Sequence, residues 1–566
     1  MSLRCLSLSA VLLAVIGWLA ASAHVLADAS GYLAFSARVD HNWDIYVIRL
    51  DGGDLRRMTA HPGREQDPAW SPDGRALAYS ARRNRQWDLY VLDVTSGEER
   101  RLTVDQAYDG APAWSPDGRW IAYESMASGD LDIWIIPSTG GEAINLTEDS
   151  PAGDFGPMWA PTGPYAGWLA FTSWRLGDKD VFLLHPETGE LQQVTHDEED
   201  EELAGWSADG RILYIFRDED ERREVWALDL TTEEARLQRR TWLTRIRAAV
   251  EAADGLAVVY QRADGEGLLW LPDDDGLPGY LVWRAALAGR LAYHPAPVVA
   301  GEVIAEGAAA LDDAPMPQDG EGVARFVELS GVTAQGWPAS LSSQVADSFL
   351  ALRERVREET GYDFLSELSD AWRPPSFYNE TSDYLSWHKT GRAVDVLLDF
   401  YDEQGEQVME RVRESMGGET FWRIYLRCRD QDGSCGRPLT DRVWDLSHDA
   451  RANGGWGRGG LPGRLYGQYF VDFTALAREY GWRRIGSYEE DGFDWRTYFT
   501  ALEYWHYERR DGQLWYPLML EVLDPEQAKA YFSWEEAISH GVDPFYAFMK
   551  GLPLPAHERH WQALRP

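Results

Sequence analysis

The sequence predicts a multidomain protein in which an all-β, six-bladed propeller is followed by an α+β domain. The chain has 566 residues, more than a single hydrophobic core usually organises. A short motif built on tryptophan and glycine recurs through the first half at a spacing typical of propeller blades. After about residue 340 the apolar residues instead recur at helical spacing.

The first 27 residues have the features of an export signal. Arg4 gives the segment a positively charged N-terminal region, and an apolar run extends from Leu8 to Ala20. Small residues that suit cleavage of a signal peptide follow. We therefore exclude residues 1–27 from the fold and expect an exported protein, periplasmic or extracellular. The stretch from Leu6 to Leu26 is also nearly long enough to span a bilayer, so an uncleaved membrane anchor stays open.

The composition excludes one class of partner. The chain has 93 acidic and 54 basic side chains, a formal net charge of −39 and a pI near 4.6. Such a surface would repel the phosphates of a nucleic acid, so we expect no nucleic-acid partner. A solvated acidic surface accounts for the charge.

Residues 28–275 contain a repeat. Variants of a Trp-Ser-Pro-Asp-Gly motif recur 44 to 47 residues apart, at Trp70, Trp114, Trp159 and Trp206. Proline presets φ and glycine accepts positive φ, so the motif predicts a tight turn between paired strands. An acidic residue opens a second run in each unit, and a threonine closes the unit. These residues are Asp44, Asp88, Asp132, Asp180 and Glu224, and Thr59, Thr103, Thr147, Thr195 and Thr244.

The repeat predicts four-stranded blades arranged around an axis. Counting a weaker last copy near Leu256 to Tyr260 gives six units. The motif resembles that of the TolB-type six-bladed propellers, which implies the fold and says little about function. The tryptophans favour packing within each blade over sugar binding, because they keep their place in the repeat. The partner of such a propeller could be a protein, a glycan or the mouth of the second domain.

Residues 276–335 are predicted to be a connector with some structure. Turn and linker segments such as Pro295-Ala-Pro297 alternate there with short runs that suit strands. The second domain is predicted to cover residues 336–566. Its first element is a helix after Ser342, on whose apolar face lie Val345, Phe349, Leu352 and Val356.

Two short motifs carry the predicted chemistry. The first runs from Ser386 to Asp395, and the second, Glu-Tyr-Trp-His, runs from Glu503 to His506. They contain two imidazoles and one carboxylate, the three protein ligands that a catalytic zinc uses when its fourth position stays open. An adjacent glutamate can accept the proton of an attacking water. The pair of motifs therefore predicts a zinc hydrolase.

The two motifs, in this order, resemble those of the zinc D-alanyl-D-alanine carboxypeptidases and dipeptidases of the VanY and VanX type. The resemblance covers about residues 340–510. It implies an α+β zinc peptidase domain in which His388, Asp395 and His506 bind Zn²⁺. Glu503 would then act as the general base that takes a proton from water and passes it to the departing amine.

The same resemblance implies residues that contact the substrate. Arg373, in a Trp-Arg-Pro-Pro-Ser segment, falls where the family carries an arginine and would hold the carbonyl or terminal carboxylate of a peptide. Ser386 would orient a ligand or touch the substrate, and Trp505 would form a wall of the pocket. The chain departs from the family because its two histidines are 118 residues apart, more than such peptidases usually need, and because Tyr504 stands where the family often has proline. These differences leave the substrate open.

Cys428 and Cys435 lie in the long insertion between the two motifs. In an exported protein a pair this close predicts a disulfide that closes one surface loop. Free thiols, or thiols that bind a metal, stay open as alternatives. The remaining cysteine, Cys5, lies in the predicted signal.

Together these observations predict an exported zinc metallopeptidase that removes a terminal D-amino acid from a cell-wall peptide or cleaves a related small peptide. The alternative is a binding or assembly protein of the cell envelope, in which the propeller acts and the second domain recognises peptidoglycan without cutting it. A serine hydrolase is disfavoured because no Gly-x-Ser-x-Gly segment follows the propeller.

Overall fold

The computed structural model describes the chain except residues 1–30, 40–41, 197–198, 220–221, 233–236, 242, 244, 263–264, 274–279, 298–301, 304–325, 378–383, 417–418, 447–466, 491–492 and 556–566. The predicted export signal at residues 1–27 lies outside the described residues. Within the described ranges, every helix is too short or too polar to cross a lipid bilayer.

Four four-stranded antiparallel sheets and one eight-stranded sheet, in which the first and last blades share a strand, form the six blades of the N-terminal region. Blade 1 contains β1 (Tyr32–Val39), β2 (Asn42–Arg49) and β3 (Arg56–Arg57). Blades 2 and 3 contain β4 (Glu65–Trp70), β5 (Ala76–Arg83), β6 (Gln86–Asp93), β7 (Glu99–Arg101), β8 (Asp109–Trp114), β9 (Trp120–Ser125), β10 (Asp132–Pro137) and β11 (Ile144–Asn145). Blades 4 and 5 contain β12 (Asp154–Trp159), β13 (Leu169–Ser173), β14 (Asp180–His185), β15 (Glu190–Gln193), β16 (Asp200–Trp206), β17 (Ile212–Glu219), β18 (Arg222–Asp229) and β19 (Leu237–Arg239). Blade 6 contains β20 (Ile246–Glu251), β21 (Gly255–Arg262) and β22 (Gly265–Pro272).

One long strand closes the ring. β23 (Tyr280–His294) pairs with β22 through residues 280–285 and with β1 through residues 286–294. It is therefore both the outermost strand of blade 6 and the innermost strand of blade 1. The short β24 (Glu302–Val303) pairs with β3. The propeller thus extends beyond the predicted boundary at residue 275, because its closing strand lies in the predicted connector and has no turn motif of its own.

The repeated threonines link strands within blades 1 to 5. In blades 1 to 4 the threonine hydroxyl accepts the backbone N–H of the residue after the repeated aspartate, at 2.9–3.0 Å, as Thr59 does from Ile45. In blade 5 this role belongs to Thr241, which accepts from Val225 at 3.4 Å. Thr241 therefore makes the contact of a closing threonine in this blade, and the predicted Thr244 lies outside the described residues.

The turn motif has the conformation that its sequence predicts. The glycines have φ between 66° and 78°, at Gly74, Gly118, Gly163 and Gly210. Trp70 and Trp206 are buried, and Trp114 and Trp159 are partly buried against blade cores. The repeated tryptophans therefore pack the blades, in agreement with the packing interpretation.

The C-terminal region mixes short strands with helices. Its first elements are β25 (Phe326–Ala334), β26 (Trp337–Ser342) and α1 (Ala346–Thr360), and the buried face of α1 includes the predicted Phe349, Leu352 and Val356. The later strands are β27 (Glu367–Leu368), β28 (Ala393–Asp395), β29 (Met409–Met416), β30 (Glu419–Arg427), β31 (Arg437–Pro438), β32 (Tyr469–Asp472), β33 (Arg483–Arg484), β34 (Glu489–Glu490), β35 (Phe493–Asp494) and β36 (His506–Glu508). The later helices are α2 (Phe473–Glu479), α3 (Trp515–Val522), α4 (Pro525–Phe532), α5 (Trp534–Ser539) and α6 (Pro544–Met549). Short 3₁₀ helices cover Gly163–Tyr165, Phe364–Ser366, Trp387–Thr390 and Phe499–Ala501.

One hydrophobic core joins the two regions. It contains Trp87, Tyr108 and Trp174 of the propeller together with residues of α1, β30 and β36. Ion pairs surround this core, including Arg82–Glu359, Arg64–Glu479 and Arg442–Asp200. The C-terminal region therefore packs directly against the propeller and covers one end of its axis.

A disulfide lies at this contact. Cys428 and Cys435 are bonded, and the carbonyl of Ser434, inside the loop that they close, accepts hydrogen bonds from Arg82 and Arg85 of blade 2. The bond therefore stabilises a loop that holds the two regions together.

Candidate metal centre

Three short elements bring the predicted metal ligands together. His388 lies in a 3₁₀ helix that Ser386 caps by accepting the N–H of His388. Gly391 ends this helix with a φ of 69°, and β28 then leads to Asp395. β36 begins at His506 and pairs antiparallel with β28, so that Asp395 and His506 lie directly opposite each other.

The three side chains are close enough to share one metal ion. Nε2 of His388 is 3.2 Å from Oδ1 of Asp395, and Nδ1 of His506 is 2.9 Å from the same oxygen. One ligand atom from each residue lies within 4.8 Å of the others, and all three residues are buried. Ligand atoms that each lie about 2 Å from one ion are separated by roughly 3–4 Å, so the distances from Asp395 to the two imidazoles are compatible with a shared metal ion.

Each imidazole has an oxygen near its other ring nitrogen. Nδ1 of His388 lies 2.6 Å from the carbonyl oxygen of Ala371, and donation to that carbonyl leaves a lone pair on Nε2 facing Asp395. Nε2 of His506 lies 3.5 Å from the buried carboxylate of Glu508. Metal-bound histidines almost always donate their other ring nitrogen to a carbonyl or carboxylate. A lone pair that faces a carboxylate oxygen is favourable when a cation lies between them.

The charges of the centre influence one another strongly. Burial alone would raise the pKa of Asp395, but the neighbouring imidazoles of His388 and His506 hold this pKa well below its usual range. Burial alone would lower the pKa of His506, but Asp395 and Glu508 raise it to about 10. Without a metal, the imidazole of His506 is therefore doubly protonated and positively charged at neutral pH.

Glu503 lies on a strained turn just before His506. Its φ of 54° is in the left-handed region, which residues other than glycine seldom adopt. Its carbonyl oxygen accepts the N–H of His506 at 3.2 Å. Burial raises the pKa of Glu503 to about 7, against the opposing effect of His506. A carboxylate with this pKa can accept and return a proton near neutral pH.

Arg373 lies beside the ligands and is held by Asp370. Its Nε and Nη2 atoms are 2.6 and 2.5 Å from Oδ2 of Asp370, and Nη2 is 4.0 Å from Oδ2 of Asp395. The backbone N–H of Arg373 donates to the carbonyl of His388 at 3.2 Å, and the backbone of Asp370 pairs with that of Asp395. Residues 370–373 thus position the guanidinium and support two of the ligands.

The other predicted site residues support the centre. Besides capping the helix, Ser386 accepts the indole N–H of Trp515 through its carbonyl at 2.9 Å. Trp505 is buried and stacks on Phe499, with ring centroids 5.2 Å apart. Substrate contact by Ser386 and Trp505 stays a prediction. The disulfide-bonded cysteines lie at the contact with the propeller rather than among the ligands.

Sequence reasoning missed three supporting residues. Glu508 follows His506 by two positions on β36, and residues two apart on a strand share a face, so strand alternation could have found it. Asp370 and Ala371 belong to no motif. Their role depends on a bridge between the segment around residue 370 and β28, which the local sequence does not reveal.

Three solved structures illustrate what the chain resembles. TolB from Acinetobacter baumannii is 18% identical with a TM-score of 0.42, over 47% of this chain and 67% of that chain. A puromycin-hydrolyzing peptidase of Mycobacterium tuberculosis is 14% identical with a TM-score of 0.33, over 55% and 48% of the two chains. An oligogalacturonate lyase in complex with manganese is 16% identical with a TM-score of 0.34, over 45% and 74%.

Two family models match the chain, both within its N-terminal half. No curated protein matches the chain. Residues 34–151 match the dipeptidyl peptidase IV N-terminal region, and residues 105–277 match the TolB beta propeller domain. The N-terminal region is therefore a propeller of the type that TolB and the dipeptidyl peptidase IV N-terminal region share.

Proposed function

We propose that the protein is an exported zinc peptidase that hydrolyses a terminal bond of a small peptide of the D-Ala-D-Ala type found in cell walls. The group formed by His388, Asp395 and His506 carries this proposal, because it is the ligand set of a catalytic zinc with an open fourth position. The disulfide between Cys428 and Cys435 supports export, since disulfides persist in oxidising compartments.

The ligand set favours zinc over harder cations. Mg²⁺ and Ca²⁺ prefer oxygen ligands, whereas imidazole nitrogen suits zinc. When bound, zinc supplies a Lewis acid and lowers the pKa of water, which is the chemistry that hydrolysis of a peptide bond needs. The contacts of His388 with Ala371 and of His506 with Glu508 orient both imidazoles for this task.

Glu503 is the general base in this proposal. Its carboxylate takes a proton from the attacking water as the water oxygen adds to the peptide carbonyl carbon. When the C–N bond breaks, Glu503 returns that proton to the leaving amine nitrogen. Its pKa of about 7 keeps a large fraction ionised at neutral pH and also makes return of the proton favourable.

Arg373 is the proposed substrate-binding group. Its side chain is 21% exposed, so a ligand can reach it. A guanidinium offers parallel N–H donors that match the two oxygens of a carboxylate. Asp370 fixes its orientation, so the terminal carboxylate of a peptide would be held at a defined distance from Glu503. This arrangement favours an enzyme that cleaves at the end of a peptide.

Metal analysis coupled to a peptide assay tests the proposal. We expect purified full-length protein to contain about one zinc per chain and to hydrolyse peptides that end in D-Ala-D-Ala until a chelator is added. Glu503→Gln should keep the metal and lower kcat by about 10²–10⁴-fold. Glu354→Gln, on the exposed face of α1, is the matched control and should change neither quantity.

The possible outcomes separate the proposal from its alternative. Absence of bound metal would reject the metal centre, and full activity of Glu503→Gln would reject the general base. Bound zinc without hydrolysis of any such peptide would favour the alternative, in which the region recognises peptidoglycan without cleaving it. A protein or glycan partner for the propeller stays a prediction that this experiment does not address.

A further inference from the structure

A cavity of about 980 Å³ lies where the propeller axis meets the C-terminal region. The inner strands of the six blades line one side, and residues of β30, β32 and α2 line the other. The described residues that line it include none of the proposed metal ligands, nor Glu503 or Arg373. Small-molecule sites usually occupy about 300–1,000 Å³ and often lie between domains. The cavity therefore has the size and position of a ligand site separate from the metal centre.

The lining is rich in arginine, although the chain carries a formal net charge of −39. Eleven arginines and nine carboxylates line the cavity. Several of these carboxylates already pair with an arginine of the same lining, namely Asp67 with Arg437, Glu266 with Arg478 and Glu359 with Arg82. The cavity thus has a surplus of positive charge in a strongly acidic protein.

Arg290 and Arg245 are lining arginines without a carboxylate partner among the described residues. Arg290, on β23 in blade 1, reaches across the axis and donates to the carbonyl oxygens of Pro157 at 3.1 Å and Ala111 at 3.5 Å, in blades 4 and 3. Arg245 lies directly before β20, the inner strand of the neighbouring blade 6. A guanidinium that is withdrawn from bulk water without an anion costs free energy. Both side chains are partly buried, so an anion from outside the chain would relieve this cost.

A third arginine faces the cavity from the C-terminal side. Arg484 lies on β33, and its side chain is 8% exposed. Its Nη2 atom pairs with Glu414, whereas its buried Nη1 atom has no hydrogen-bond partner among the described residues. A buried donor without an acceptor is rare in folded proteins and costs free energy.

We propose that this cavity binds a small oxyanion with two or more negative charges, a polycarboxylate or a phosphate ester, through Arg245, Arg290 and Arg484. The planar guanidinium matches carboxylate and phosphate oxygens equally well. Residues with small side chains, including Ala248, Ala288 and Gly289, line the same space and leave room for the ligand near the axis.

Calorimetric titration of the full-length protein tests this proposal and separates the two kinds of ligand. The probes are tricarballylate, as the polycarboxylate, and fructose 1,6-bisphosphate, as the phosphate ester. We expect one of them to bind with one molecule per chain and to bind more weakly as ionic strength rises. Arg245→Gln and Arg290→Gln should each weaken binding at least about tenfold, because each removes a charge-assisted hydrogen bond.

Arg245→Gln is the decisive variant, because the wild-type side chain makes no ion pair with a described residue and its loss should leave the fold intact. Arg119→Gln, at an exposed ion pair outside the cavity, is the control and should bind like the wild type. Lack of binding by both probes would overturn the proposal. Unchanged binding by Arg245→Gln and Arg290→Gln would overturn it as well, since the probe would then occupy another place, such as the metal centre.

Discussion

Gly391 offers a direct test of how the fold builds the metal centre. It ends the 3₁₀ helix that carries His388, with a φ of 69°. A Cβ added there would meet Cε1 of Phe326 at 2.6 Å and the backbone nitrogen of Ser342 at 2.7 Å. The N–H of Ser342 donates to the carbonyl of Gly391 at 2.9 Å, so the backbone cannot move away without losing this hydrogen bond.

We expect Gly391→Ala to lower the free energy of unfolding by about 2–5 kcal/mol. The left-handed conformation costs an L-residue about 1–2 kcal/mol, and overpacking against fixed neighbours costs about 1–3 kcal/mol more. Any shift that relieves the clash would also move His388 away from Asp395. The zinc content of the purified variant should therefore fall together with its stability.

Gly405→Ala separates the cost of the left-handed backbone conformation from the cost of the steric clash. Gly405 has a φ of 83°, and a Cβ added there would meet nothing within 4 Å. This variant should therefore lose only about 1–2 kcal/mol and keep its zinc. Urea unfolding followed by tryptophan fluorescence, with metal analysis of the same samples, measures both effects. Equal destabilisation by the two variants, or full zinc content in Gly391→Ala, would refute the reasoning.

Two further predictions concern the surroundings of the ligands. Asp370→Asn should lower kcat/KM by about 10–100-fold with zinc retained, because the charge that holds Arg373 is lost. The control is Asp363→Asn, which breaks a comparable ion pair with Arg353. This control should leave kcat/KM unchanged. Zinc binding at pH 7 should release about one proton from His506, whose pKa is about 10 without metal, so affinity should rise with pH. Calorimetry in buffers of different ionisation enthalpy measures that proton, and its absence would contradict the predicted charge state.

Protonation of His506 also determines how the free energy of unfolding of the metal-free protein changes with pH. A group whose pKa is raised in the folded state stabilises the fold at pH values below its unfolded pKa. Protonated His506 therefore contributes its full stabilisation below about pH 6.5. This contribution to the free energy of unfolding is lost as the pH rises towards about 10. Bound zinc removes this pH dependence, because a metal-bound imidazole is already neutral.

The propeller could be predicted because its information is local and repeated. The turn motifs place glycine where positive φ is needed, and blades 1 to 5 repeat the bond from a threonine to a strand N–H, as in Thr59 and Ile45. β23 escaped prediction because its pairing with β1 joins the two ends of the propeller. Such a pairing leaves no periodic mark in the sequence.

The ligands of the centre could be predicted for a different reason. His388 and Asp395 lie within one motif, so a tight turn suffices to bring them together, and the second motif supplies His506. The supporting groups depend instead on backbone contacts between segments. The carbonyl of Ala371 can orient His388 only because Asp370 bridges to Asp395, and a carbonyl carries no signature of residue type.

Among the described residues, the metal centre and the cavity share no side chain, yet one small sheet links them. β36, which begins at His506, pairs with β28 on one side and with β33 on the other. On β33, Arg484 faces the cavity and lies opposite Tyr507, the neighbour of His506. Loss of Arg245, in the propeller, leaves this sheet untouched, so the two proposals can fail independently. Any effect of a bound anion on zinc affinity would have to pass through β33, and by thermodynamic reciprocity zinc would change the affinity for the anion by the same factor.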